Sequence, residues 1–222
     1  MIEPARPVTI WDLPTRLFHW LLLALVVLQY ATGEYHLLDM RWHLWLGYVT
    51  LALVMFRVLW GFFGSQTSRF ADFVRGPSAV LRHLRATLNG TTQQSSVGHN
   101  ALGGWSVLAM LTCLFVQCIS GLFASDDVAT RGPFADALSE SALHLATRIH
   151  NWNQSVLLLL IGGHIVAVLL HLLRRDNLIV PMITGRKLLA NAPELRLVAA
   201  WRALLLFALC AAAVTVVVWN AA

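Results

Sequence analysis

The chain has 222 residues, of which 58% are hydrophobic and only 12% charged. Soluble domains carry about twice that charged fraction, so the composition excludes an ordinary water-soluble fold and points to a bilayer. The formal net charge of +5 does not signal nucleic acid, because the basic residues gather at the ends of apolar runs.

Five runs reach membrane length. The first covers residues 13–32, with Asp12 as its N-cap and Pro14 tolerated in the first turn. It ends at Ala31-Thr32-Gly33 without a small-x-small cleavage site, so it reads as a retained helix rather than a signal peptide. The others span residues 42–63, 101–124, 146–173 and 199–219. A polar loop containing Gly64-Ser65-Gln66 and residues 89–100 separates the second from the third. Asp126, Asp127, Asp136 and Glu140 mark the loop before the fourth, and a basic linker leads to the fifth. No strand pattern and no repeat at a solenoid period is visible. Cys113, Cys118 and Cys210 lie inside apolar runs and offer no disulfide framework.

Basic residues orient the chain. With the N-terminus cytoplasmic, twelve fall inside, among them Arg6, Arg16, Arg69, Arg75, Arg174 and Lys187. Only Arg41, Arg131 and Arg148 fall outside. The positive-inside rule therefore puts the N-terminus in the cytoplasm and the C-terminus outside.

Two histidines, His150 and His164, share one face of the fourth run, about 21 Å apart along its axis. His19 lies near the start of the first run and His43 near the start of the second. In the deduced orientation His19 lies level with His164 on the cytoplasmic side, and His43 level with His150 on the periplasmic side. Ionisable residues in a membrane helix are costly and default to function. One helix with two ligands, facing two helices with one each, suits two stacked haems with paired histidine ligands. Zinc would need four ligands converging at one point. No C-x-x-C-H motif offers covalent attachment, so the haems would be b-type.

Other residues fit the two levels. Gly47, one turn after His43, either clears a flat macrocycle or serves helix packing. Arg57, fourteen residues after His43, lies at cytoplasmic depth and needs a partner. A haem propionate is one, and Arg16 is a second candidate for the same role. Snorkelling to the interface is the alternative for both. His171 either serves a propionate or quinone ring or lies at the interface. His36, His83, His99 and His144 are not assigned as ligands. The tryptophans mostly mark interfaces.

Trp11-Asp12-Leu13-Pro14-Thr15-Arg16 runs into Leu17-Phe18-His19-Trp20. His43 is followed by Gly47-Tyr48 and by Phe56-Arg57-Val58-Leu59-Trp60-Gly61, and His150-Asn151-Trp152-Asn153 precedes His164. Over about residues 10–187 the chain thereby resembles the prokaryotic cytochrome b561 family, which includes cytochrome b subunits of nickel–iron hydrogenases. The resemblance implies a four-helix bundle with two b haems ligated by His19, His43, His150 and His164. It also implies exchange of electrons with membrane quinone and with a periplasmic c-type cytochrome or an oxidoreductase subunit, in a bacterial inner membrane. The fifth run departs from the four-helix pattern, so residues 188–222 read as a linker and an added transmembrane helix.

The expected fold is thus an all-α membrane protein, a four-helix haem bundle plus one helix. The expected function is transmembrane electron transfer, as a quinone-linked oxidoreductase or a subunit of one. A superoxide:quinone oxidoreductase acting alone is the nearest alternative. A histidine-dependent ion or proton transporter is another class, but inverted repeats and broken helices are not visible.

Overall fold

The computed structural model describes residues 5–89, 97–126, 130–189 and 193–221. Its long helices are α1 (Leu13–Gly33), α2 (Met40–Phe63), α5 (Ala101–Leu122), α6 (Glu140–Leu173) and α8 (Ala200–Trp219). Short ones are α3 (Phe70–Phe73), α4 (Pro77–Leu88) and α7 (Ile179–Thr184). The five long helices are apolar and long enough to cross a membrane, and they coincide with the five runs.

Asp12 sets the start of α1. One of its oxygens accepts the Thr15 N–H at 2.9 Å, satisfying one of the free donors of the first turn. The other accepts Trp60 Nε1 at 3.0 Å, which ties the start of α1 to the far end of α2.

The fourth run begins earlier than expected. At 34 residues α6 is about 51 Å long, well beyond a hydrocarbon core of about 30 Å. Its polar first turns therefore project out of the apolar layer, where periodicity gives no signal. Glu140 belongs to the helix rather than the loop, in a first turn where the helix dipole favours a carboxylate. Asp127 lies outside the described residues.

A small sheet is a second difference. Strand β1 (Arg6–Thr9) pairs antiparallel with β2 (Arg186–Leu189), with Arg6 opposite Leu189 and Thr9 opposite Arg186. Four-residue strands so far apart in sequence leave no pattern to read. Gly185 makes the pairing possible. Its φ is +81°, and a Cβ there would stand 2.8 Å from the Trp11 carbonyl oxygen. Its own carbonyl accepts the N–H groups of Ile10 and Trp11 at 2.8 and 3.1 Å. Ile10, Trp11 and Leu189 are buried together beneath the sheet, capping the end of the bundle where α1 begins.

Helices α1 and α2 form one hairpin and α5 and α6 another, with α2 also packed on α5 and α8. Half of α2's apolar window is buried. Phe18, Leu53, Phe56, Trp60 and Leu111 form one buried cluster with Ala203 and Cys210 of α8, and Leu51, Ala52 and Leu122 another with Val214. Ala203, Cys210 and Val214 recur at seven and four residues, one stripe of a helix, and this stripe seals α2. The linker is fixed where Ser65 Oγ accepts the Val198 N–H at 2.9 Å. Trp11 and Trp60 are core residues, 6% and 1% exposed, not interfacial markers. Leu159, Leu173 and Leu209 are among many large apolar side chains left facing outward, as a lipid-facing surface requires.

Candidate functional site

The four histidines meet in two pairs. The His19 and His164 ring centres are 6.4 Å apart with planes at 56°, and those of His43 and His150 are 6.4 Å apart at 82°. Two metal–nitrogen bonds of about 2 Å, plus roughly 1.1 Å from each nitrogen to its ring centre, sum to about 6.2 Å. The shared separation leaves room for one metal ion between the two imidazoles of each pair. Among the described residues no three His, Cys, Asp or Glu side chains converge on one point, so a tetrahedral site is not offered.

The His43/His150 level is held by its neighbours. His43 Nδ1 lies 3.1 Å from the Gln29 carbonyl, and His150 Nδ1 lies 3.0 Å from the Gln117 carbonyl. A carbonyl only accepts, so both Nδ1 atoms carry the proton and both Nε2 atoms present a lone pair. Gln117 Nε2 stands 3.2 Å from His150 Nε2, its amide steadied by Asn153 Nδ2 donating to Gln117 Oε1 at 2.7 Å. Asn153 also donates to the Cys113 carbonyl. Trp152 is 72% exposed and turns away from the pair.

The other level differs. His19 Nδ1 is buried with no hydrogen-bond partner among the described residues. Nearby Arg57 is 2% exposed and does not reach an interface. Its Nη1 donates to the Ser68 carbonyl at 3.2 Å, and its guanidinium lies 5.9 Å from the Phe18 ring centre and 5.6 Å from that of Phe70. The Asp12 carboxylate attracts it electrostatically. Arg16 turns toward α7, donating from Nη1 to the Ile183 carbonyl, while its Nε is buried without a partner among the described residues. Gly47 faces α1, where a Cβ would come within 3.3 Å of Gln29 Nε2.

His99, which the sequence places in a polar loop, lies at this level. Its ring packs against Trp11 and Phe73, with centres 4.8 and 4.6 Å apart. Burial pushes its pKa down to about 3, helped by the Arg57 guanidinium and the rings of His164 and His19, so it is neutral. Its place beside Asn100, the N-cap of α5, was the available signal. His171 bonds Asp176 through Nδ1 at 3.1 Å, and Lys187 Nζ donates to the same carboxylate at 2.9 Å. That chain ties β2 to the end of α6.

No curated protein and no solved structure matches the chain. A family model described as prokaryotic cytochrome b561 matches residues 10–185, which covers both helical hairpins and stops before α8. The chain belongs to the prokaryotic cytochrome b561 family, membrane cytochromes that transfer electrons through b haems.

Proposed function

We propose that the chain carries electrons across a bacterial inner membrane through two b haems, between membrane quinone and a periplasmic redox partner such as a c-type cytochrome. The observation that supports this most is the common 6.4 Å separation of both histidine pairs. His19 and His164 would hold one iron on the cytoplasmic side, and His43 and His150 the other on the periplasmic side. When bound, each haem supplies a centre that takes up and releases one electron.

The chain's own residues do the rest. Helix α6 supplies one ligand to each level, and the fourteen residues between them set the levels about 21 Å apart along its axis. Arg57, enclosed and cationic, would balance a haem propionate at the His19/His164 level, with Arg16 as a second cation there. Gly47 keeps the α1–α2 interface thin beside His43. The sheet and the Ile10–Trp11–Leu189 cluster keep water from the cytoplasmic end. The twelve-to-three split of basic residues supports this orientation.

The test is a set of histidine variants in membranes supplied with a reduced quinone. His19→Ala and His164→Ala should each remove the same haem, and His43→Ala and His150→Ala the other, while the unaltered protein is reduced by quinol. If His19→Ala and His150→Ala remove the same haem, the pairing is wrong. If quinol leaves both haems oxidised, the quinone assignment falls.

A further inference from the structure

The ends of α1 and α5 carry one pattern twice: Gln29-Tyr30-Ala31-Thr32-Gly33 and Gln117-Cys118-Ile119-Ser120-Gly121. Each segment meets a histidine of the helix that follows it, with matching contacts. His43 Nδ1 lies 3.1 Å from the Gln29 carbonyl and 3.2 Å from Thr32 Oγ1. His150 Nδ1 lies 3.0 Å from the Gln117 carbonyl and 3.3 Å from Ser120 Oγ. A Cβ on Gly33 would stand 2.9 Å from His43 Cε1, and one on Gly121 would stand 2.9 Å from His150 Cε1. Only glycine lets either ring sit so close to the neighbouring helix.

The hydroxyls point the same way. Thr32 Oγ1 donates to the Leu28 carbonyl at 2.8 Å, and Ser120 Oγ donates to the Val116 carbonyl at 2.7 Å. With its proton spent there, each hydroxyl turns a lone pair to the imidazole. Carbonyl and hydroxyl therefore both accept from one Nδ1–H. The glutamine side chains do not share the pattern, since Gln29 Oε1 is buried without a partner among the described residues while Gln117 Oε1 accepts from Asn153. What recurs is the carbonyl, the hydroxyl and the glycine.

We infer that residues 29–33 and 117–121 are one histidine cradle used twice, which locks both imidazoles of this level with the proton on Nδ1 and makes the iron they hold the lower in potential of the two. The inference rests on the two-haem reading above. An acceptor on Nδ1–H pushes electron density to Nε2 and raises ligand basicity. That favours the oxidised, more positive iron, and haem potentials follow such outer hydrogen bonds. At the other level His19 Nδ1 has no acceptor among the described residues. Thr32 and Ser120 act through the histidines and are positioning residues.

The test is a redox titration with electron paramagnetic resonance of the haem-loaded Thr32→Val/Ser120→Ala protein. Both haems should remain, and the lower-potential one should rise while the higher stays. The change in its reduction equilibrium should be roughly two- to tenfold, the range for a lost hydrogen bond. Thr32→Ser keeps the hydroxyl and should leave both potentials in place. Gly33→Ala or Gly121→Ala should displace one ring and alter the ferric signal of that haem alone; should they fail to fold, the hydroxyl variants still decide. Movement of the higher-potential haem, or of neither, overturns the cradle and leaves the two-haem reading standing. A parent protein without two haems overturns that reading instead.

Discussion

Asp12 ties the start of α1 to the end of α2, and its removal has a calculable cost. It is 5% exposed. Asp12→Ala deletes the cap on the Thr15 N–H, worth about 1 kcal/mol. It also strands the buried Trp60 N–H, which costs about 1–3 kcal/mol. The two together come to about 2–4 kcal/mol, before any loss from removing the carboxylate that faces Arg57. Asp12→Asn separates the effects, because its carbonyl oxygen can still cap α1 while its amide cannot accept from Trp60 if both contacts are to be kept. Asp12→Asn should therefore fall between the parent and Asp12→Ala. Denaturant titration in detergent, followed by tryptophan fluorescence and by haem absorbance, measures the order. A loss below about 1 kcal/mol for Asp12→Ala would show that neither contact carries the stability assigned to it.

Two further outcomes follow from charged groups. Arg57→Leu should lower the potential of the haem between His19 and His164, because a nearby cation favours the reduced, less positive centre. A unit charge about 10 Å away at an effective dielectric of about 20 contributes about 1.7 kcal/mol, roughly 70 mV for one electron; equal shifts in both haems in a redox titration would refute the placement. Burial would raise the Asp176 carboxyl, but Lys187 and His171 bonded to it hold it below its ordinary 3.8. A carboxyl lowered in the folded state stabilises above its unfolded value and loses that stabilisation as pH falls through the folded one. The tie is thus complete down to about pH 4 and fails below it, so Asp176→Asn should flatten the acid limb of a melting-temperature profile, and an unchanged limb would refute the role.

The spans were legible because an uninterrupted apolar run of about 20 residues is longer than the helices of a soluble core need and matches the hydrocarbon thickness. Helical rise set the face and depth of His150 and His164, and the orientation read from the basic residues matched His19 and His43 to them. Several features were hidden for physical reasons. The β1–β2 pairing depends on the backbone of Gly185 and joins segments almost a whole chain apart. Trp60 reads as an interfacial residue until its N–H is seen bonded to Asp12. His99 sits in a polar stretch of the sequence, and only the fold brings its ring to the His19/His164 level. The Gln-x-x-Thr/Ser-Gly pattern stood in the sequence, yet it has no meaning until α1 and α5 are seen to end against the histidines of α2 and α6.

The haem content of the purified protein tests the central claim most directly. Pyridine haemochrome absorbance against protein concentration, with acid–acetone extraction, gives the number and attachment of the haems. Two histidine pairs of equal span, with no attachment motif, require a ratio approaching two and complete extraction. A ratio of zero or one in fully loaded protein, or haem that stays on the polypeptide, would contradict the account.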